Sequence, residues 1–240
     1  MHTPHLHTPH PHRDLQRLWA SDWSLTALLA LLLVMLFVLQ PMIELGYHVA
    51  IVGSAAFSLM LVSGFFAVAH TRAMRWLLGT GVLVTLALHW ARYTIAADQA
   101  VQADSLVTLA ASGLLAGIVF VHVFRPGPIT VLRIQGAMAG YLLIAIMFAA
   151  AYNWIDINSP NAFVGAVAPA TVLDQRAARF GYFSFVTLTT VGYGDIVPVQ
   201  PFARSLAMLE AFIGQIFPAI LLARLVSMEI AERQGRSHTA

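Results

Sequence analysis

The residues whose types and order could do chemistry stand together at Thr190-Val191-Gly192-Tyr193-Gly194-Asp195. Glycine lacks the Cβ that bars positive φ, so a strand with glycine at alternate positions can alternate the sign of its backbone dihedrals. Successive carbonyls then point the same way. Carbonyls from Thr190, Val191, Gly192 and Tyr193, with the Thr190 hydroxyl beneath them, make a ladder of oxygen ligands that ends at Gly194. Rings of such oxygens can replace the water stripped from a monovalent cation. One chain supplies one strand, so several copies must meet around an axis, with Val191 and Tyr193 turned outward to brace it.

Nothing else in the chain competes with this segment. The apolar runs hold no paired acids, metal cluster or nucleophile–base set, so an enzyme is not indicated. There are no cysteines, which excludes thiol chemistry and disulfides. The 240 residues are 59% hydrophobic and 10% charged, with a mean hydropathy of +0.76. A soluble domain carries about a quarter charged residues. So few charges cannot coat a water-soluble globule, and the class is integral membrane protein. A net charge of +2 from 13 arginines, with no basic cluster, argues against nucleic acid as a partner.

The elements that must position the segment are helical. A span takes about 20 apolar residues, and six runs qualify: 23–40, 46–70, 74–97, 105–124, 129–152 and 202–231. The run from Trp23 is too long for a signal-peptide core. Between the fifth and sixth runs, Phe180 to Val191 is apolar but too short to cross; Phe180 to Thr189 reads as a re-entrant helix leading into the ladder. Such backbone is tolerated at membrane depth only where protein or water surrounds it. Arg13, Arg17, Arg72, Arg75, Arg125, Arg133, Arg233 and Arg236 flank one side of the runs. By the positive-inside rule both termini are cytoplasmic. Arg176 and Arg179, in the loop left outside, run against the bias. The first twelve residues carry five histidines. Histidine tracts can bind metals, but Pro4, Pro9 and Pro11 favour a disordered polar tail. The expected organisation is a tail at 1–22, a four-helix domain at 23–124, a pore domain at 125–232 and a short tail at 233–240, with no cytoplasmic ligand-binding domain.

From about Ala177 to Pro218 the chain resembles the pore module of the tetrameric potassium channels, which run pore helix, filter, inner helix. The resemblance implies an all-α membrane protein: six transmembrane helices, a re-entrant pore helix and a selectivity filter, assembled as a four-fold homotetramer in lipid. It implies K+ as the permeant ion at Thr190, Val191, Gly192 and Tyr193, no cofactor, and the plasma membrane of a bacterium as location. Aromatic residues early in the family's pore helix brace the filter; the matching positions are Tyr182, which can bond Asp195, and Phe183, which offers no donor. Thr189 also belongs to the filter support. A glutamate that some members place behind the filter is Val186 here. The family's hinge glycine lies twenty residues past the last filter glycine, which is Gly214. Pro218 lacks the N–H that would bond the Gly214 carbonyl, so the inner helix bends there, as a fixed kink or as a moving hinge.

Helical spacing places Gln215, Pro218, Leu222, Val226 and Glu229 on one stripe facing the ion path, with Leu222 and Val226 as an apolar gate. Glu210 lies within span six, where an ionisable group marks a functional site. It is expected behind the filter, bonded to a pore-helix hydroxyl such as Thr187 or Thr189, with its protonation state open. Steep voltage gating needs about three or four arginines in span four, and Ser105 to Phe124 holds none. Weak or absent voltage dependence follows. Arg92 is expected to snorkel or to pair with Asp98 or Asp104, while His89 and His122 read as packing residues. The competing readings are a poorly selective cation channel and the pore of a potassium uptake transporter. Both lose ground because one complete filter, with Tyr193 and both glycines, is intact.

Overall fold

A computed structural model describes residues 25–45, 50–68, 72–91, 98–124, 130–165 and 173–237. The order is α1 (Leu25–Glu44), α2 (Ala50–Val68), α3 (Arg72–Ala91), α4 (Asp98–Val123), α5 (Val131–Asn158), β1 (Phe163–Gly165), α6 (Leu173–Leu188), β2 (Ile196–Pro198) and α7 (Pro201–Ser237). The six long helices coincide with the six apolar runs. By length and composition four segments can cross a membrane: Leu25–Glu44, Gln102–Val121, Val131–Asn158 and Pro201–Arg224. The apolar stretches of α2 and α3, Ile51–Phe65 and Gly79–Ala91, are shorter. The histidine-rich tail and Arg92 lie outside the described residues, as does the side chain of His122.

Local chemistry explains the departures from plain helix. Near its end α1 makes a π-turn at Met35–Leu39, where the Gln40 N–H bonds the Met35 carbonyl. Pro41 follows it and has no N–H to offer Phe37, so the regular ladder is interrupted at that point. The all-α expectation needs one correction. β1 and β2 pair antiparallel, Phe163 opposite Pro198 and Gly165 opposite Ile196. Gly165 has φ +114°, and a Cβ there would lie 1.8 Å from the Asp195 carbonyl oxygen. Only glycine admits that approach, so the end of the Thr190–Asp195 segment is strapped to the loop after α5.

Two cores meet on α5. Leu28 and Leu32 of α1, Phe57 and Met60 of α2 and Val119 of α4 pack with Leu143 of α5. Toward the filter, Tyr152 of α5, Phe163 of β1 and Phe180 and Phe183 of α6 form an edge-on cluster of rings. The far end of α1 also reaches the pore helix α6, with Phe37 edge-on to Phe185 at 5.4 Å. α6 begins at Leu173, seven residues before the sequence estimate, and stops at Leu188.

Candidate functional site

The segment after α6 alternates. Thr190, Gly192 and Gly194 have φ of +60°, +58° and +80°, while Val191 and Tyr193 are not in the left-handed region. The glycines were expected there. Thr190 was not, since a β-branched side chain at positive φ is strained and persists only when its surroundings hold it. The hold is visible: Thr190 N–H donates to the Thr187 carbonyl at 2.9 Å, and Gln215 Nε2 donates to Thr190 Oγ1 at 2.8 Å. Val191 N–H returns to the Val186 carbonyl at 3.0 Å, so the strand starts tied to the last turn of α6.

Support comes from three sides. Tyr182 donates its hydroxyl to Asp195 Oδ2 at 2.8 Å, the bond foreseen from sequence. Desolvation, and then that bond, push the Tyr182 hydroxyl up to about 12, so it remains a donor at any physiological pH. Phe183 turns away from Asp195 into the core, against Tyr152 and Phe163. Thr187 and Thr189 spend their hydroxyls on their own helix, bonding the carbonyls of Phe183 and Phe185.

Glu210 is therefore not partnered by Thr187 or Thr189. Its pore-helix hydroxyl is Ser184, one turn earlier, with Oγ 2.5 Å from Glu210 Oε1, and Tyr152 donates to Oε2 at 2.6 Å. The Glu210 side chain is fully buried. Ser184 Oγ also lies 2.7 Å from the Ala145 carbonyl. A hydroxyl has one proton. Ser184 Oγ therefore stands between two acceptors, the Ala145 carbonyl and Glu210 Oε1. The Glu210 carboxyl group joins α5, α6 and α7.

Gly214 makes the other junction. A Cβ there would sit 1.8 Å from the Leu188 carbonyl oxygen, the last of α6, so α7 lies directly against the end of the pore helix. The same oxygen accepts the Tyr141 hydroxyl at 3.0 Å. Close packing, independent of any bending, thus requires glycine at 214.

The family model described as ion channel matches residues 140–230, which span α5, the filter and α7. Protein LctB of Bacillus caldotenax is 33% identical over 89 residues, 36% of this chain and 64% of LctB. LctB of Geobacillus stearothermophilus matches over the same shares. Two pore potassium channel c of Oryza sativa subsp. japonica is 35% identical over 86 residues, 36% of this chain and 19% of that protein. No solved structure matches the chain. Over residues 140–230 the chain is thus similar to ion channels, and the rice relative is named a potassium channel.

α7 is one continuous helix with Pro218 inside it. Gln215 holds the start of the alternating segment through its bond to Thr190. Pro218, Leu222 and Val226 are exposed on the single chain. Glu229 lies on α7, but its side chain is outside the described residues. Arg224, which sequence reasoning passed over, donates to the Phe124 carbonyl and lies over the Phe124 ring at 5.3 Å. It ties the inner helix to the end of α4. Its signal was an arginine amid Leu221 to Val226, an apolar setting that demands a partner. Asp104 Oδ1 lies 2.7 Å from His89 Nδ1. Among the described residues no group of three or more His, Asp or Glu side chains could hold a metal.

Proposed function

We propose that the chain is the subunit of a homotetrameric, potassium-selective channel whose filter is Thr190 to Gly194. The observation that carries this is the alternating backbone, positive φ at Thr190, Gly192 and Gly194 and not between them. That pattern lets carbonyls stack as successive ligands for an ion that has left its water. Assembly is supported by what a lone chain leaves open. Val191 and Tyr193 are 53% and 72% exposed, and α7 presents Phe212, Ile220, Leu222 and Val226. Apolar surface of that kind asks for a partner, and a closed ring of identical copies supplies one. Residues 125–232 form the pore domain and 23–124 a four-helix domain at its flank. In this reading all six long helices cross the membrane, α2 and α3 with shorter apolar stretches, and the arginine bias supports cytoplasmic termini in a bacterial-type cell.

The permeant ion is K+, bound by the chain's own oxygens. Val226 and Leu222 narrow the inner mouth, and Glu229 lies at its end. Protein purified and fused into planar bilayers tests the reading. Under opposed K+ and Na+ gradients the reversal potential should track K+. A potential that follows both ions would leave a poorly selective cation pore, and a particle mass other than four chains would overturn the assembly.

A further inference from the structure

A cavity of about 130 Å³ lies where the flanking helices meet the pore, walled by residues of α1 to α6. Its apolar lining includes Met35 and Leu39 of α1, Ile146 and Ala150 of α5, and Ala177 and Ala178 of the pore helix. An engineered apolar cavity of about 150 Å³ takes up benzene, so the volume suits about six heavy atoms.

Two buried polar atoms in the lining, His89 Nε2 and Asn153 Oδ1, have no hydrogen-bond partner. His89 is only 6% exposed. The partners of the other ends decide what these atoms are. In the tautomer that donates Nδ1–H to Asp104, Nε2 carries the lone pair and is an acceptor. Asn153 donates Nδ2 to Ser105 Oγ at 2.8 Å, which leaves Oδ1 as an acceptor too. Asp104 and Ser105 are consecutive on α4, so both acceptors are anchored to one flank of the cavity. A buried acceptor without a donor costs about 1–3 kcal/mol, and such groups call for an explanation. A second observation marks the same place. Met35 and Leu39 are the first and last residues of the π-turn, and π-turns gather at functional sites.

We propose that this cavity is a binding site for a small amphiphile, an alkanol or alkylamine of about six heavy atoms, whose head donates a hydrogen bond to Asn153 Oδ1, an amine having a further N–H for His89 Nε2. Its tail lies against the apolar wall. Because Ala177 and Ala178 belong to the pore helix, an occupant presses on the element that carries the filter. That effect on conduction rests on the channel reading; the binding does not.

The test uses the full chain in phosphatidylcholine vesicles and a diazirine-bearing hexanol, with labelled peptides mapped by mass spectrometry. Saturable labelling of α1 and α5 peptides is expected. Hexanol and hexylamine should displace the label about fivefold more tightly than 1-chlorohexane, the worth of about one net hydrogen bond. Asn153→Leu should abolish that preference, and Ala150→Phe should abolish labelling. Should either variant fail to assemble, the wild-type competition still decides. Vesicles doped with diacylglycerol distinguish the source: displacement assigns the head to a lipid hydroxyl, and its absence to a free amphiphile. Equal competition by 1-chlorohexane, labels mapped elsewhere, or no label at all would overturn the proposal, the last leaving water in the cavity. If labelling succeeds and K+ flux is absent, the channel reading fails and the site stands.

Discussion

Replacing Glu210 separates two roles that a buried acid can play. In Glu210→Gln the amide oxygen can accept from Tyr152, and the amide nitrogen can donate to Ser184 Oγ, whose own proton then goes to the Ala145 carbonyl, so both partners are kept. The cost should stay below about 1 kcal/mol per subunit, the scale of one net hydrogen bond. Glu210→Leu keeps the volume but removes both partners. Ser184 retains the Ala145 carbonyl, whereas the Tyr152 hydroxyl, on a fully buried residue, is left with no acceptor. Stranding one donor and losing one further bond costs about 2–4 kcal/mol per subunit, repeated in each copy of an assembly. The oligomeric fraction on size exclusion and K+ flux from liposomes both read this. Glu210→Gln should assemble and conduct, and Glu210→Leu should not assemble. Adding Tyr152→Phe to Glu210→Leu removes the stranded hydroxyl and should return about 1–2 kcal/mol of stability. Equal assembly and flux in the Gln and Leu variants would refute the reasoning.

Gly214→Ala drives a methyl into the Leu188 carbonyl and should cost about 3 kcal/mol, the upper end for overpacking, read as a fallen melting temperature of the detergent-solubilised particle. A stable Gly214→Ala particle would show that α7 sits elsewhere. Tyr182→Phe cuts the tie to Asp195 and should speed the decay of current under sustained K+ flow by about fivefold, the worth of about 1 kcal/mol; unchanged decay would remove Tyr182 from the support. The conductance–voltage curve should be nearly flat, because α4 carries no arginine or lysine and each sensing charge supplies only about 2.3 kcal/mol per 100 mV. A curve as steep as that of an arginine-bearing sensor would overturn this.

Legibility in the sequence followed the range of the interactions. The apolar runs matched the helices because length and hydropathy act locally, and Gly192 and Gly194 announced their positive φ by lacking a Cβ. Tyr182 and Asp195 were readable as a pair because the helix end and the strand bring them together over thirteen positions. Glu210 declared itself as a buried acid, but its partners did not. The rotation of α6 against α7, which selects Ser184 over Thr187, is set by packing between distant segments, and Tyr152 lies 58 residues from Glu210. The β1–β2 strap was hidden for the same reason, each strand being three residues long and without a pattern. Thr190 ran against its own propensity, held in place by Gln215 from a helix that sequence cannot orient.

The last carbonyl of the pore helix is touched by Gly214 from one side and by Tyr141 from the other. A rod pinned at one point turns about that point and cannot slide through it. For α7 this makes Gly214 a fulcrum, with Gln215 immediately beyond it gripping the threonine that begins the filter.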